Sequence, residues 1–340
     1  MHRCVQNEVK SAYTVNHPWL GVRAVERWLV SMLLEVKQLD FSYGHHQVLH
    51  QIDFSLKAGK SVAIVGESGC GKSTLAHLLL GWLSPNNGKV SIDQTDLNSK
   101  KTGKHNKALN GVQVVLQNID ESLNPRMTAY QLIEEPLHYQ RDISKHQYPS
   151  MVLDVAERVG LAIEDLKKYP HAFSGGQRQR IAIGRALILR PKLLICDEAT
   201  SSLDASVAKS ILHMMKHEIS DHAMSLVFIT HDIALASWMC DDMIVMNQGR
   251  MMEKIASEDL LTKALHPYTK KLISASNYEI KKLETLRECA SDHEKNGCIY
   301  QFECSHVMNQ CYGHAPSMRT LEIDHEVCCF MPCGSEEIKV

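Results

Sequence analysis

The sequence has no apolar run that approaches the roughly 18–20 residues that a helix needs to cross a bilayer. Its first residues lack the basic and then apolar pattern of a secretory signal. The formal charge is close to neutral, with 37 basic and 39 acidic side chains, so neither a broad basic surface nor a nucleic-acid partner is expected. We therefore expect a cytoplasmic protein whose role at a membrane, if it has one, depends on partner proteins.

Cysteine is also scarce over most of the chain, because only four of the eleven cysteines precede residue 289. The other seven lie in the tail, at positions 289, 298, 304, 311, 328, 329 and 333. In a reducing compartment such a cluster indicates a metal site before disulfides. Residues 1–31 show no clear periodicity, and two interpretations stay open for them: a real extension, or a start codon assigned upstream of Met32.

A glycine-rich segment follows a predicted buried strand, residues 61–65, and precedes a predicted helix that includes residues 75–80. It matches G-x-x-x-x-G-K-[ST], the pattern of a phosphate-binding P-loop. Glycines let successive backbone N–H groups turn toward a polyphosphate, and the helix N-terminus adds partial positive charge. Lys72 can reach the β- and γ-phosphates, and the Ser73 hydroxyl can bind Mg²⁺. The predicted ATP-binding residues are Gly66, Ser68, Gly69, Cys70, Gly71, Lys72, Ser73 and Thr74.

Two later apolar runs end in polar residues that suit a nucleotide site. Residues 192–196 predict a buried strand that leads into Asp197 and Glu198. In a magnesium–nucleotide site, one carboxylate orients Mg²⁺ and the next can polarise an attacking water. Residues 225–229 predict another buried strand, and His231 follows it as a candidate sensor of the γ-phosphate.

The segment between these parts changes to helical spacing. Residues 118–173 predict a helical insertion into an α/β core, and a strand at 112–116 brings Gln117 to its end. The insertion ends at Ser174-Gly175-Gly176, a turn that opens a helix predicted from Gln177 to Leu189. This helix offers a second N-terminus for an anion.

In this order, the motifs of residues 32–276 resemble the ATPase subunit of an ABC transporter. Gln117 corresponds to the Q-loop, residues 173–177 to the signature, Asp204 to the D-loop and His231 to the switch histidine. More narrowly, residues 122–128, 173–180 and 266–269 are similar to the oligopeptide/dipeptide/nickel importer branch. The resemblance implies an α/β P-loop NTPase core with an inserted helical subdomain, an antiparallel β subdomain and a small cysteine-rich C-terminal extension at residues 277–340.

The resemblance also implies roles for these residues. Two subunits would face head to tail, with each ATP between one P-loop and the signature of the partner. Glu198 and His231 would be catalytic, and Tyr43 would stack on adenine. The residues that would bind Mg²⁺ are Ser73, Gln117 and Asp197. The residues that would contact ATP in trans are Ser174, Gly175, Gly176, Gln177 and Asp204.

The implied partners are two transmembrane permease subunits, a second ATPase subunit and, indirectly, an extracellular substrate-binding protein. The second ATPase subunit is usually non-identical in this branch, and a homodimer of this chain is the alternative. The expected location is the cytoplasmic face of the membrane. We expect di- or oligopeptide import, with import of nickel or a metal–chelator complex as the alternative. An exporter ATPase is opposed by residues 122–126 and 266–268. A non-transport ABC ATPase would be expected to carry a coiled-coil insertion or a second P-loop, and this chain has neither.

The tail cysteines Cys298, Cys304, Cys311 and Cys329 resemble the C-terminal pattern of this branch, which is associated with an iron–sulfur cluster. Four thiolates suffice for a [4Fe–4S] cluster, and such sites also suit zinc. The prolines that commonly follow the cysteines of the family are absent here, and Cys328 and Cys333 are alternative fourth ligands. Cluster, zinc and no metal therefore remain three open predictions.

Overall fold

The computed structural model describes residues 32–97, 108–140, 142–200, 203, 205–277, 297–322 and 324–331. The strands are β1 Met32–Tyr43, β2 His46–Lys57, β3 Ser61–Val65, β4 Asn87–Ile92, β5 Thr95–Asp96, β6 Val112–Val115, β7 Leu193–Asp197, β8 Ser225–Thr230, β9 Asp242–Asn247, β10 Arg250–Ala256, β11 Arg319–Glu322 and β12 His325–Val327. The α-helices are α1 Lys72–Leu79, α2 Ile119–Ser122, α3 Ala129–Glu134, α4 Tyr148–Arg158, α5 Gly175–Leu187, α6 Ala205–His222, α7 Ile233–Met239, α8 Leu260–Lys263, α9 Pro267–Asn277 and α10 Asn309–Gly313. The predicted extension at 1–31 lies outside the described residues.

The larger sheet has eight strands in the order β11-β12-β10-β9-β3-β8-β7-β6. The five strands from β9 to the edge strand β6, in the order β9, β3, β8, β7 and β6, are parallel. Since β3, β7 and β8 are neighbours with the same direction, their carboxyl ends meet at one edge of the sheet. In open α/β sheets this edge is where ligands bind.

Two apolar clusters cover the two faces of this sheet. Ala63 and Val65 of β3 belong to one cluster, which also contains buried side chains of α2 to α7. Val62 and Ile64 belong to the other, which contains α1 and the antiparallel strands. All five residues of β3 are buried, as expected for a parallel strand covered on both faces. Each fully buried aliphatic side chain contributes about 1.5–3 kcal/mol, so these clusters hold the P-loop strand in place.

The second sheet is antiparallel and has the order β2-β1-β4-β5. It packs on the cluster that contains α1. Therefore β1, which ends at Tyr43, shares one core with α1, which follows the P-loop. This arrangement gives β1 and β2 a position close to the nucleotide loop. The backbone N–H of His50 in β2 donates a hydrogen bond to Gly249 O, at the turn between β9 and β10 (2.9 Å).

The chain between β6 and β7 is helical, with α2 to α5 and short 3₁₀ segments. The helix predicted from Gln177 to Leu189 runs instead from Gly175 to Leu187. It begins earlier because the Ser174 side chain accepts a hydrogen bond from the Gln177 backbone N–H, and the Gln177 side chain accepts one from the Ser174 N–H. This reciprocal capping box satisfies two backbone donors and defines the start of α5.

The tail adds two strands to the larger sheet. β12 pairs antiparallel with β10, with Glu253 opposite Val327 and Lys254 opposite Glu326. β11 pairs with β12 and forms the edge. The sequence patterns gave no sign of these strands. Within the described residues, we find no helix that combines the length and apolar character of a membrane span.

Candidate functional site

The P-loop connects β3 to α1, as predicted. Gly71 is the N-cap residue of α1. Its φ of +103° is a backbone conformation that residues with a Cβ rarely adopt. The backbone is thereby turned so that α1 begins immediately at Lys72. A helix that begins behind a glycine loop presents free N–H groups, which suit a phosphate.

Lys72 is 5% exposed, and its ammonium group is held by the loop itself. Its Nζ donates hydrogen bonds to Gly66 O at 2.8 Å and to Glu67 O at 2.9 Å. These carbonyls satisfy a buried charge that a phosphate can take over. Burial raises the pKa of the neighbouring Cys70 thiol, although Lys72 opposes the shift. The loop therefore has one cationic side chain, Lys72, and the Cys70 thiol places no thiolate charge where a phosphate would bind.

Asp197 and Ser73 come together behind this loop. Burial raises the pKa of Asp197, and a hydrogen bond with the Ser73 side chain acts in the opposite direction. Asp197 Oδ1 is buried and has no hydrogen-bond partner among the described residues. A hydroxyl and an orphaned carboxylate oxygen are ligands that Mg²⁺ prefers. The donor set therefore fits the ion that the family implies.

Glu198, Gln117 and His231 form a cluster at the ends of three neighbouring strands. The Gln117 Nε2 donates to Glu198 Oε2 at 2.8 Å, and His231 Nδ1 lies 3.4 Å from Glu198 Oε1. Glu198 has φ +46°, and its N–H donates to Ile229 O. This conformation holds the carboxylate between the amide and the imidazole. The three residues predicted from separate strand ends thus lie at one place.

Tyr43 ends β1 with 51% of its surface exposed. Its ring packs edge-on against Phe41, with centroids 4.8 Å apart and an interplanar angle of 87°. One face of the tyrosine is therefore available to a planar ligand. This geometry is compatible with stacking on a base.

The signature residues lie on different elements from the P-loop. Ser174 is exposed at the N-terminus of α5, a helix that packs on α3 and β6, whereas α1 packs on β2, β7 and β8. A Cβ at Gly176 would lie 2.4 Å from Val207 Cγ1, so the glycine permits close packing of α5 on α6. The predicted D-loop residue Asp204 lies outside the described residues.

The four tail cysteines Cys298, Cys304, Cys311 and Cys329 line one cavity, together with His266 and Tyr300. The cavity is partly open to solvent. The backbone holds the segment together, because Cys298 N–H donates to Cys311 O at 2.7 Å. Burial raises the pKa of Cys298, and Cys311 and Cys304 add to the shift.

Cys328 is adjacent to this cavity, because its thiol donates a hydrogen bond to the O atom of Pro316, a lining residue, at 3.2 Å. Cys289 and Cys333 lie outside the described residues. In the part of the chain that the structure describes, no group of three or more metal-binding side chains is arranged to hold a single metal ion.

Two buried residues near the site have no counterpart in the predictions. Tyr268 accepts a hydrogen bond from the Glu67 N–H of the P-loop at 3.2 Å, and burial raises the pKa of its phenol. Glu253 is 0% exposed and accepts from the N–H groups of Leu265 and His266. In the sequence, Tyr268 belongs to residues 266–269, which resemble the importer branch. That resemblance gave no indication of the contact between Tyr268 and the P-loop.

Comparison with known proteins places this geometry in a family. Residues 49–201 match the family model described as ABC transporter, and residues 252–311 match the one described as oligopeptide/dipeptide transporter, C-terminal region. The di/tripeptide transport ATP-binding protein DppF of Pseudomonas aeruginosa is 36% identical over 294 residues, which covers 84% of this chain and 91% of that protein. The chain belongs to the ATP-binding subunits of ABC transporters.

Within that family it is similar to subunits named for peptides. The oligopeptide transport ATP-binding protein OppF of Haemophilus influenzae is 33% identical over 292 residues, covering 83% of this chain and 88% of that protein. The dipeptide transport ATP-binding protein DppF of Escherichia coli is 36% identical over 279 residues, covering 80% and 84%. The predicted resemblance to this importer branch is confirmed.

Solved structures share the fold. The cbiO1 protein from Clostridium perfringens, part of the ABC transporter complex cbiONQ, has a TM-score of 0.63 at 26% identity and covers 72% of this chain and 94% of its own. The ATP-binding cassette MJ0796, solved as a post-hydrolysis dimer with ADP and Pi, has a TM-score of 0.59 at 26% identity, covering 66% and 99%. The predicted P-loop ATPase fold is confirmed, and the chain is an ABC-type ATP hydrolase.

Proposed function

We propose that this chain binds and hydrolyses ATP to energise a membrane importer of di- or oligopeptides. The observation that carries the hydrolytic part is the cluster of Gln117, Glu198 and His231 beside a P-loop whose lysine is buried. The peptide part is supported by the names of the related transport proteins and by the family match of residues 252–311. Nickel import, the alternative, has no such support among these relatives.

The site residues have separate roles in this proposal. Lys72 exchanges the Gly66 and Glu67 carbonyls for the phosphates, which the N–H groups of residues 68–74 also bind. Tyr43 stacks on the adenine. Ser73, Gln117 and Asp197 hold Mg²⁺, which when bound neutralises charge on the β- and γ-phosphates. Glu198 polarises the attacking water, and His231 orients that water and the γ-phosphate.

The signature and the D-loop act on a different nucleotide. Ser174, Gly175, Gly176, Gln177 and Asp204 contact the ATP bound by a second, non-identical ATPase subunit. The exposure of Ser174 at a helix N-terminus supports this role, because the partial positive charge of a helix N-terminus attracts an anion. ATP then stabilises the closed pair as a shared ligand, and hydrolysis removes that stabilisation.

The chain works at the cytoplasmic face of the membrane beneath two permease subunits. In this proposal residues 32–276 form the ATPase unit, and the helices between β6 and β7 bind a permease subunit. Gln117 begins that helical segment and donates to Glu198, so it can relay the state of the nucleotide. An extracellular binding protein delivers the peptide and has no direct contact with this chain.

The proposal extends to a [4Fe–4S] cluster at Cys298, Cys304, Cys311 and Cys329. Its support is the cavity that these four cysteines line together. A bound cluster would supply a one-electron redox centre.

Substitution of Glu198 tests the hydrolytic role. Glu198→Gln keeps the shape of the side chain and its contact with Gln117, so ATP binding is expected to persist. Loss of the charge that polarises water is expected to lower turnover by about 100-fold or more. Glu164→Gln changes an exposed carboxylate and serves as the matched control. Turnover at the wild-type rate in Glu198→Gln would remove Glu198 from the mechanism.

The transport assignment is tested by purification of the chain from its native membrane. Two permease subunits and a second ATPase are expected to copurify. The associated binding protein is then titrated with short peptides and with Ni²⁺. Peptide affinity supports the proposal, whereas affinity for Ni²⁺ alone overturns the peptide assignment.

Metal analysis tests the tail. After anaerobic purification of the full chain, about four iron and four sulfide per chain are expected. The double variant Cys298→Ser and Cys311→Ser is expected to lose both, while Cys240→Ser, a buried cysteine outside the tail, retains them. One zinc per chain, or no metal, contradicts the cluster.

A further inference from the structure

The first peptide group of the P-loop is held from both sides. The Gly66 carbonyl accepts a hydrogen bond from Lys72 Nζ at 2.8 Å, and the Glu67 N–H donates to the Tyr268 hydroxyl at 3.2 Å. These two atoms belong to one peptide unit. Since that unit is trans, its carbonyl and its N–H point in opposite directions. Lys72 and Tyr268 therefore fix the orientation of this peptide together.

Tyr268 is itself rigid. It lies in the first turn of α9, is 1% exposed and ranks among the largest fully buried side chains of the described residues. Its own N–H donates to His266 Nδ1 at 3.1 Å, which fixes its backbone as an N-cap contact does. A buried ring on a capped helix can hold a hydroxyl at a defined position.

The same ring contacts the wall of the cysteine-lined cavity. The Tyr268 and Tyr300 rings meet edge to face, with centroids 5.5 Å apart and an interplanar angle of 64°. Tyr300 lines the cavity with Cys298 and Cys304. One buried tyrosine thus separates the cavity wall from the P-loop.

An ion pair joins the same two regions at the surface. Lys271 Nζ lies 2.6 Å from Glu303 Oε2 in the tail and 3.8 Å from Glu67 Oε1 in the P-loop. Exposed pairs of this kind contribute little energy, so the main connection is the buried one through Tyr268.

We infer that Tyr268 is a positioning residue of the nucleotide site, which fixes the Gly66–Glu67 peptide and connects the P-loop to the cysteine-lined cavity through Tyr300. The inference rests on the proposed function, because it takes the P-loop to be the ATP site. When a phosphate draws Lys72 away from Gly66, the Tyr268 hydroxyl is the contact that keeps this peptide in place. Tyr268 touches neither the phosphates nor the attacking water in this scheme. Its effect is therefore on affinity and not on the chemical step.

Tyr268→Phe removes the hydroxyl and keeps the ring. Titration of the full chain with a fluorescent ATP analogue is expected to show a dissociation constant raised about three- to tenfold, as for the loss of one hydrogen bond. In the assembled transporter, KM for ATP is expected to rise with kcat unchanged. Tyr312→Phe removes an exposed hydroxyl from the same tail and is expected to leave both constants unchanged.

A second variant tests the connection to the tail. Tyr300→Leu removes the ring against Tyr268 and is expected to weaken ATP binding in the wild-type chain. In the Tyr268→Phe background its effect is expected to be smaller, because both changes act on one contact. Full additivity of the two effects would refute the connection through Tyr300, and wild-type affinity in Tyr268→Phe would refute the positioning role.

Lys72→Ala separates this inference from the proposed function. Loss of ATP binding in Lys72→Ala together with unchanged binding in Tyr268→Phe would overturn only the role of Tyr268. Wild-type ATP binding in Lys72→Ala would instead overturn the assignment of the P-loop as the ATP site.

Discussion

His325 Nε2 lies 2.8 Å from Glu253 Oε1, and both side chains are buried. Glu253 belongs to β10 of the ATPase core, whereas His325 belongs to β12 of the tail. The other oxygen of Glu253 accepts the His266 N–H, directly before α9. One buried carboxylate therefore ties together the core sheet, the tail strand and the helix that carries Tyr268.

Removal of this carboxylate is expected to destabilise the fold. Glu253→Ala leaves the N–H groups of Leu265 and His266 and the ring of His325 without their acceptor, at a cost of about 3–5 kcal/mol in the free energy of unfolding. Urea unfolding measures the loss. Glu35→Ala, which breaks an exposed pair with Lys37, is expected to cost less than about 1 kcal/mol. Equal losses in the two variants would contradict a structural role for Glu253.

The buried His266 makes stability depend on pH. Burial lowers the pKa of its ring from 6.5 to about 4, against the opposing effect of Glu253. At a pH above the ordinary histidine pKa, the His266 ring is neutral in both the folded and the unfolded chain. Between that value and about 4 the unfolded chain binds a proton that the folded chain does not, so stability falls with falling pH, by about 3 kcal/mol in all.

His266→Asn is expected to remove this pH dependence. Asparagine retains an acceptor for the Tyr268 N–H but has no group that titrates in this range. Urea unfolding at several pH values compares the slopes of wild type, this variant and His45→Asn, an exposed histidine. An unchanged slope in His266→Asn would show that other groups cause the acid sensitivity.

The turn between β9 and β10 is expected to support the P-loop. Gly249 has φ +75°, and a Cβ there would lie 1.9 Å from Val48 O. Its N–H donates to Cys70 O at 2.9 Å. Gly249→Ala must therefore displace the turn. The loss in the free energy of unfolding is expected to exceed the roughly 1–2 kcal/mol of left-handed backbone strain alone. ATP binding is expected to weaken as well. Gly44→Ala, with φ +59° and open space, measures the strain alone by thermal unfolding.

Gln117 is expected to affect both Mg²⁺ and turnover. Gln117→Ala removes the donor to Glu198 Oε2 and the proposed magnesium contact. The Mg²⁺ concentration for half-maximal ATPase activity is expected to rise, and turnover is expected to fall about tenfold. Gln140→Ala, in the helical segment, is the control. An unchanged Mg²⁺ requirement would contradict the role of Gln117 as a ligand.

The sequence predicted the site where local patterns define it. The apolar runs before Gln117, Asp197-Glu198 and His231 form the neighbouring parallel strands β6, β7 and β8. Because these polar residues lie at the carboxyl ends of the strands, they meet as expected. The start of α5 was displaced because a capping box, and not the apolar period, sets the first turn.

Contacts between distant segments escaped the sequence patterns. The pairing of β12 with β10 and the hydrogen bond from Glu67 to Tyr268 join residues far apart in the chain. Glu67 and Tyr268 are separated by 201 positions. Neither short strand β11 nor β12 is long enough to show an alternating pattern. Their positions follow from the shape of the folded core, which no local run of residues records.

The two tail strands also change what the molecule offers to other chains. Without them, β10 would present unpaired N–H and C=O groups next to Met251 and Met252, an open template for another strand. With them, this edge of the sheet is β11, a strand of four exposed residues that begins at Arg319 and ends at Glu322. Short, charged edges resist strand addition. The tail therefore covers this one edge of the ATPase sheet, where β10 would otherwise be open to strand addition.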